Sequence, residues 1–210
     1  MSHSRRIDGL WVGCWARDDI NPSAALDRVE AALGLIKLYD PLRYERLRRD
    51  LERIWVNLLP GNWGSFNNTL RMCELDERFV LAEATRPEQI ASTIVHEATH
   101  ARLMRCGIGY ETERRARVEA VCFRRERAFA AKLPDGELAR DEAGRRLTGY
   151  PLDFWTDEGR RNRFDQGMAD GLRYLGVPDF LIRALLGVRA PVRSARRITQ
   201  RLKDFIGPKA

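Results

Sequence analysis

Histidine is scarce in this chain: His3, His96 and His100 are the only three among 210 residues. Cysteine is scarce too, and its four copies, Cys14, Cys73, Cys106 and Cys122, form no Cys-x-x-Cys pair. That spacing argues against a disulfide framework and against a structural zinc knuckle, so reduced and mostly packed thiols are expected. No stretch approaches the run of about 20 apolar residues that a membrane span needs. Between Met1 and Ile20 the apolar residues are broken by Arg5, Arg6, Asp8, Arg17, Asp18 and Asp19, which leaves no hydrophobic core for a secretion signal. The expectation is a soluble, cytoplasmic protein. Internal repeats and low-complexity segments are absent as well.

What is present is enough apolar material, 44% of residues, for one ordinary core. The net charge of +7 is uneven. From Arg189 to Ala210 there are seven basic residues against Asp204 alone, so nearly all the excess belongs to one segment. The body of the chain is close to neutral, which makes the basic pI weak support for nucleic-acid binding by that body. The division expected is a domain over residues 1–188 followed by a basic amphipathic helix over 189–210. In that last segment Val192, Ala195, Ile198, Leu202 and Phe205 share one stripe over Pro191 to Ile206, with arginines opposite. Such a helix docks on its own domain or meets an anionic surface, and no base-reading motif accompanies it.

The periodicity predicts helices over Ser23–Leu38 and from Pro41 to about Ile54, then a strand over Arg53–Leu59 that alternates Ile54, Val56 and Leu58. Thr69–Leu75 and Phe79–Ala82 are further strand candidates, so a small antiparallel sheet is expected before the central helix. That helix begins near Thr85, where Thr85 and Glu88 have capping-box spacing, and stops at Gly107. A second helix is expected over Thr112–Lys132, then a polar loop with a short helix over Asp135–Gly149. Three more helices follow, Thr156–Leu175, Pro178–Leu186 and Pro191–Ile206. The fold class is α+β, mostly helical.

His96, Glu97, Ala98, Thr99 and His100 spell His-Glu-x-x-His. Residues four apart on a helix are neighbours on one face, so two imidazoles can converge on one metal ion, while Glu97 lies roughly 100° around the helix, within reach of the metal's water. The chemistry expected is zinc-assisted hydrolysis. Zinc acidifies water, Glu97 accepts its proton as general base and passes it to the leaving amine. The plainer alternative is two surface histidines flanking a solvated glutamate; against it, two of only three histidines fall in this motif, within a capped helix.

A third ligand must come from elsewhere. His3 lies far off in an N-terminus expected to be mobile. Cys106 stands where His-Glu-x-x-His-x-x-Gly-x-x-His would put its last histidine, but Leu103 replaces the glycine. Among Glu111, Glu113, Glu119 and Glu126, Glu119 stands out because Val118, Ala120, Val121, Cys122 and Phe123 surround it, where an unpaired carboxylate is costly unless a cation holds it. Its alternative is an ion pair with Arg115, Arg117 or Arg124, and Glu126 is the next ligand candidate.

Ser92 to Leu103, read with Arg117 to Val121, resembles the gluzincin clan of metallopeptidases, above all its small one-domain "minigluzincin" members, and more loosely the bacterial repressor-clipping metallopeptidases. The resemblance covers roughly a third of the chain, Asn62 to Leu133. It implies a zincin-like fold, a zinc ion held by His96, His100 and Glu119, a peptide or protein substrate, and a sheet edge near Leu70–Leu75 that takes the substrate in extended form. The acidic residue that larger gluzincins carry four places after the ligand glutamate is here Phe123. No further histidine is at hand for the oxyanion, so a tyrosine, Tyr110 or Tyr150, is expected in that role. Two other readings compete with the peptidase: a non-catalytic zinc site closed by Cys106, and an interaction module acting through the basic helix. The Asp135–Gly149 stretch is expected to gate the site.

Overall fold

The computed structural model describes residues 2–15 and 20–187. The basic segment over 191–206 lies outside the described residues. Strands β1 (Ser2–Ile7) and β2 (Leu10–Trp15) come first, then helices α1 (Pro22–Tyr39) and α2 (Pro41–Asp50). Three strands follow, β3 (Arg53–Asn57), β4 (Gly64–Asn67) and β5 (Met72–Asp76), then α3 (Glu77–Leu81), α4 (Pro87–Arg105), α5 (Thr112–Ala130) and α6 (Glu137–Gly149). A 3₁₀ turn (Leu152–Trp155) leads to α7 (Asp157–Tyr174), and residues 179–187 are helical.

The sheet has the order β1-β2-β3-β5-β4 and is mixed, which corrects the expected antiparallel sheet. Parallel pairing of β2 with β3 follows from the helical crossover through α1 and α2, since a tight turn cannot return the chain in the same direction. β5 pairs parallel with β3 and antiparallel with β4, so β4 becomes the outer strand on that side. The segment expected at the edge, Leu70–Leu75, instead supplies β5 between two neighbours. At the other edge the N-terminus is a strand, not a mobile tail. His3 sits opposite Cys14, and the hairpin turns at Asp8 (φ 48°) and Gly9 (φ 91°), the Asp-Gly pair that a two-residue turn with two positive φ angles favours.

One face of the sheet forms the core. Val12, Cys14, Ile54, Val56, Cys73 and Leu75 meet Val29, Leu33 and Ile36 of α1 and Ile90, Ile94 and Val95 of α4, all buried. α4 is covered on nearly every side, with Ile90 through Ala98 buried without a break. His96 and Glu97 therefore sit in the buried stretch of α4, with His100 at its partly exposed end.

Several boundaries move for local reasons. α2 stops at Asp50, leaving residues 51–52 to lead into β3. Phe79–Ala82, expected as a strand, belongs to α3 and its cap: the Asp76 carboxylate accepts from the Arg78 and Phe79 amides and turns the chain into a helix that buries Phe79 and Val80. α4 is capped one residue later than expected, the Arg86 amide donating to Gln89 Oε1 at 2.9 Å. It ends where Gly107 (φ 77°) lets the Ile108 amide reach Leu103 O and its own reach Met104 O. The expected loop over Asp135–Gly149 is helical along most of its length, and small buried residues, Ala139 and Ala143, let α6 pack close to α5. Among the described residues no helix is long and apolar enough to cross a membrane.

Candidate metal centre

His96 and His100 sit one turn apart on α4, and α5 passes beside them. Their Nε2 atoms are 3.2 Å apart. Glu119, on α5, faces both rings: its Oε2 is 3.2 Å from His96 Nε2 and its Oε1 is 3.5 Å from His100 Nε2. On the far side of the His96 ring, Glu126 Oε2 is 2.9 Å from Nδ1. Phe123 does not take an orienting role; its ring meets His96 edge-on with centroids 4.6 Å apart. The carboxylate on His96 Nδ1 thus comes seven residues after Glu119, two helical turns on and so on the same face of α5. That spacing was available in the sequence, where Glu126 reads only as a spare ligand.

The centre is buried and crowded with negative charge. His96, Glu97, Glu119 and Glu126 are each less than a tenth exposed. Burial opposes charge on His96, but its contacts with Glu119 and Glu126 outweigh burial and bring its pKa up to about 10. Burial likewise acts to raise Glu119, yet the two imidazoles hold its carboxyl well below the usual carboxylate range. Glu97 goes the other way: burial raises its pKa against the pull of His96 and His100. The donor set wants a cation, and its chemistry fits one. Tetrahedral zinc with bonds near 2.0–2.1 Å separates its ligand atoms by about 3.3 Å, close to the spacing among His96, His100 and Glu119.

A buried thiol stands beside this set. His96, His100 and Cys122 offer donor atoms all within 4.8 Å of one another, a group that can hold a metal ion. Burial pushes the Cys122 thiol far up, and the charges of Glu119, Glu97 and Glu126 push it further. Cys106 is exposed at the end of α4, and His3 lies in β1 at the opposite edge of the sheet.

Tyr110 is in the site. Its hydroxyl donates to Glu119 Oε1, and its ring meets His100 edge-on at 5.4 Å. Tyr150 belongs to an aromatic wall, stacked on Phe154 at 3.9 Å and edge-on to Trp155 at 5.3 Å. Between that wall and β4 runs a cleft of about 800 Å³ that reaches the two histidines, Glu97 and Glu119. Gly64 of β4 admits Glu97 to it: a Cβ at residue 64 would lie 2.9 Å from Glu97 Oε1 and 2.8 Å from Thr93 Cγ2. Neither the four-residue strand β4 nor the cleft wall of α7 carries a motif that sequence reading could have found. No protein-family profile, no curated protein and no solved structure matches this chain.

Proposed function

We propose that this chain is a zinc-dependent metallopeptidase of zincin-like build, with His96, His100 and Glu119 as ligands and Glu97 as general base. The observation that carries the reading is the convergence of two Nε2 atoms 3.2 Å apart with the Glu119 carboxylate, one oxygen 3.2 Å from His96 and the other 3.5 Å from His100, opening on a cleft with Glu97 alongside. Bound there, zinc supplies Lewis acidity that acidifies water and polarises a carbonyl oxygen. The protein supplies the rest. Glu126 fixes the His96 ring through Nδ1 so that Nε2 points at the centre. Glu97, whose proton affinity burial raises, takes the proton of the attacking water and delivers it to the leaving amine. The outer edge of β4 is suited to hold a peptide in extended form, the role foreseen for the neighbouring strand. Tyr110, its hydroxyl on Glu119 and its ring against His100, steadies that ligand and is the phenol placed to serve a developing oxyanion. Four free cysteines suit a reducing, cytoplasmic compartment.

Cys122 supports a second reading. With a thiolate as fourth ligand the site would be closed, and closed sites are structural. Against it stands the cost of ionising a thiol buried among three carboxylates.

Metal content and hydrolysis of an unstructured protein substrate, measured together, test the assignment. About one zinc per chain, kept in Glu97→Gln while turnover falls at least about a hundredfold, is the expected result. Absence of zinc under metal-replete conditions overturns it.

A further inference from the structure

The carboxylates of the cleft are accounted for by the candidate metal centre and by Asn57, whereas two of its cations face no carboxylate among the described residues. Glu119 and Glu126 face His96, and Glu74 accepts from Asn57 Nδ2 at 3.0 Å. Arg146 lies 3.3 Å from Glu142 and 4.0 Å above the Trp63 ring. Arg160 and Arg163 remain. Both line the cleft from α7, and with Phe164 and Gly167 they have the spacing of one helix face.

Backbone contact fixes where that face points. A Cβ on Gly167 would fall 2.1 Å from Gly61 N, and one on Gly61 would fall 2.8 Å from Arg163 O, so α7 rests directly on the loop that leads into β4. Arg160 lies with its guanidinium 5.8 Å from the Tyr110 ring, and the Tyr110 hydroxyl is on Glu119; the charge is one side chain removed from the candidate ligands. Arg163 is half-buried, its guanidinium carbon 3.5 Å from the Phe154 ring centre, and donates to the Phe154 carbonyl. Burial lowers its pKa, the mark of a cation short of solvation. Neither arginine has a carboxylate partner among the described residues. A guanidinium presents five N–H donors in a planar fork matched to a carboxylate, and a partly desolvated one gains most from meeting it.

We propose that Arg160 and Arg163 select the substrate and that the cleft takes peptides carrying a carboxylate close to the segment laid along β4. The proposal deepens the peptidase reading and rests on it for the fate of the peptide. The carboxylate comes from an Asp or Glu side chain or from a free C-terminus, and the two sources share the same recognition chemistry.

The test is fluorescence anisotropy on the full-length Glu97→Gln protein with three labelled peptides of one sequence: acidic with a free C-terminus, acidic with a C-terminal amide, and the side-chain amide counterpart. Binding of the first at least about tenfold tighter than the form lacking the recognised carboxylate, with the preference lost in Arg160→Gln and Arg163→Gln, supports the proposal. The amide that weakens binding identifies the source. Equal binding of all three overturns the proposal, and because that comparison needs no arginine variant it stands even if Arg163→Gln does not fold. The two readings separate cleanly. Zinc uptake with acidic and neutral peptides cut equally fast overturns the selection and leaves the peptidase intact; arginine-dependent binding of acidic peptides by a protein that cuts nothing does the reverse.

Discussion

Glu126 Oε2 lies 2.9 Å from Nδ1 of His96, on the side of the ring away from Glu119. A carboxylate in that position fixes the tautomer and the angle of a metal-binding imidazole without touching the metal. Glu126→Ala is therefore expected to weaken zinc binding by about 10–100-fold and leave the helical circular dichroism unchanged. Competition against a chromophoric chelator measures it. Unchanged affinity would reduce Glu126 to a packing residue.

The choice between Glu119 and Cys122 is open to the same assay. Glu119 stays ionised between two imidazoles, whereas Cys122 must lose a strongly held proton before it can bind a metal. Cys122→Ser is expected to hold zinc within about threefold of wild type and Glu119→Ala to lose at least about a hundredfold, with an X-ray absorption spectrum free of a sulfur shell near 2.3 Å. Loss of zinc from Cys122→Ser would move the third ligand to sulfur.

The parts of this structure legible in the sequence are those that local chemistry decides. The i, i+4 histidines had to share a helix face, and a glutamate in an apolar stretch of the next helix needed a partner; the chain places His96, His100 and Glu119 together. Asp8-Gly9 was an equally plain hairpin signal, masked by the charges of Arg5, Arg6 and Asp8 around it. What could not be read depends on distant partners. Phe79, Val80, Leu81 and Ala82 form a short apolar run that suits strand or helix equally, and the Asp76 cap decides it. β4 is short, half-buried and polar but for Phe66, and it pairs only with β5. Arg160 and Arg163 look like any solvated helix face until Gly167 is seen against Gly61.

Gly64 offers a test of how tightly Glu97 is held. A methyl group there would press on Thr93 and on the Glu97 carboxylate at distances of 2.8–3.0 Å, inside van der Waals contact. Gly64→Ala is expected to cost about 1–3 kcal/mol of stability and to lower turnover by displacing Glu97, while zinc content stays at the wild-type level. Urea denaturation, metal analysis and peptide hydrolysis on one preparation separate these effects. Full activity would mean that β4 yields and that Glu97 is not confined by it.

Asp40 gives the fold a pH dependence whose sign is fixed. Its carboxylate ties α2 to the segment after α5: it accepts from the Arg43 amide at the start of α2, pairs with the Arg43 side chain at 3.0 Å, and meets Lys132, just past α5, at 2.8 Å. Burial raises its pKa, but the bonds from Lys132 and Arg43 prevail and hold it below the usual carboxylate value. A carboxyl with a depressed folded-state pKa contributes stability above its unfolded value, near 3.9, and loses it as pH falls through the folded one. Asn caps a helix about as well as Asp, so Asp40→Asn isolates the ionic part. Because Lys132 is half exposed, the expected loss is only about 1 kcal/mol at pH near 7. In thermal unfolding the gap between variant and wild type should hold down to about pH 5 and close below about pH 4. A gap that persists at the lowest pH where the protein still folds would mean that shape, not charge, gives Asp40 its role.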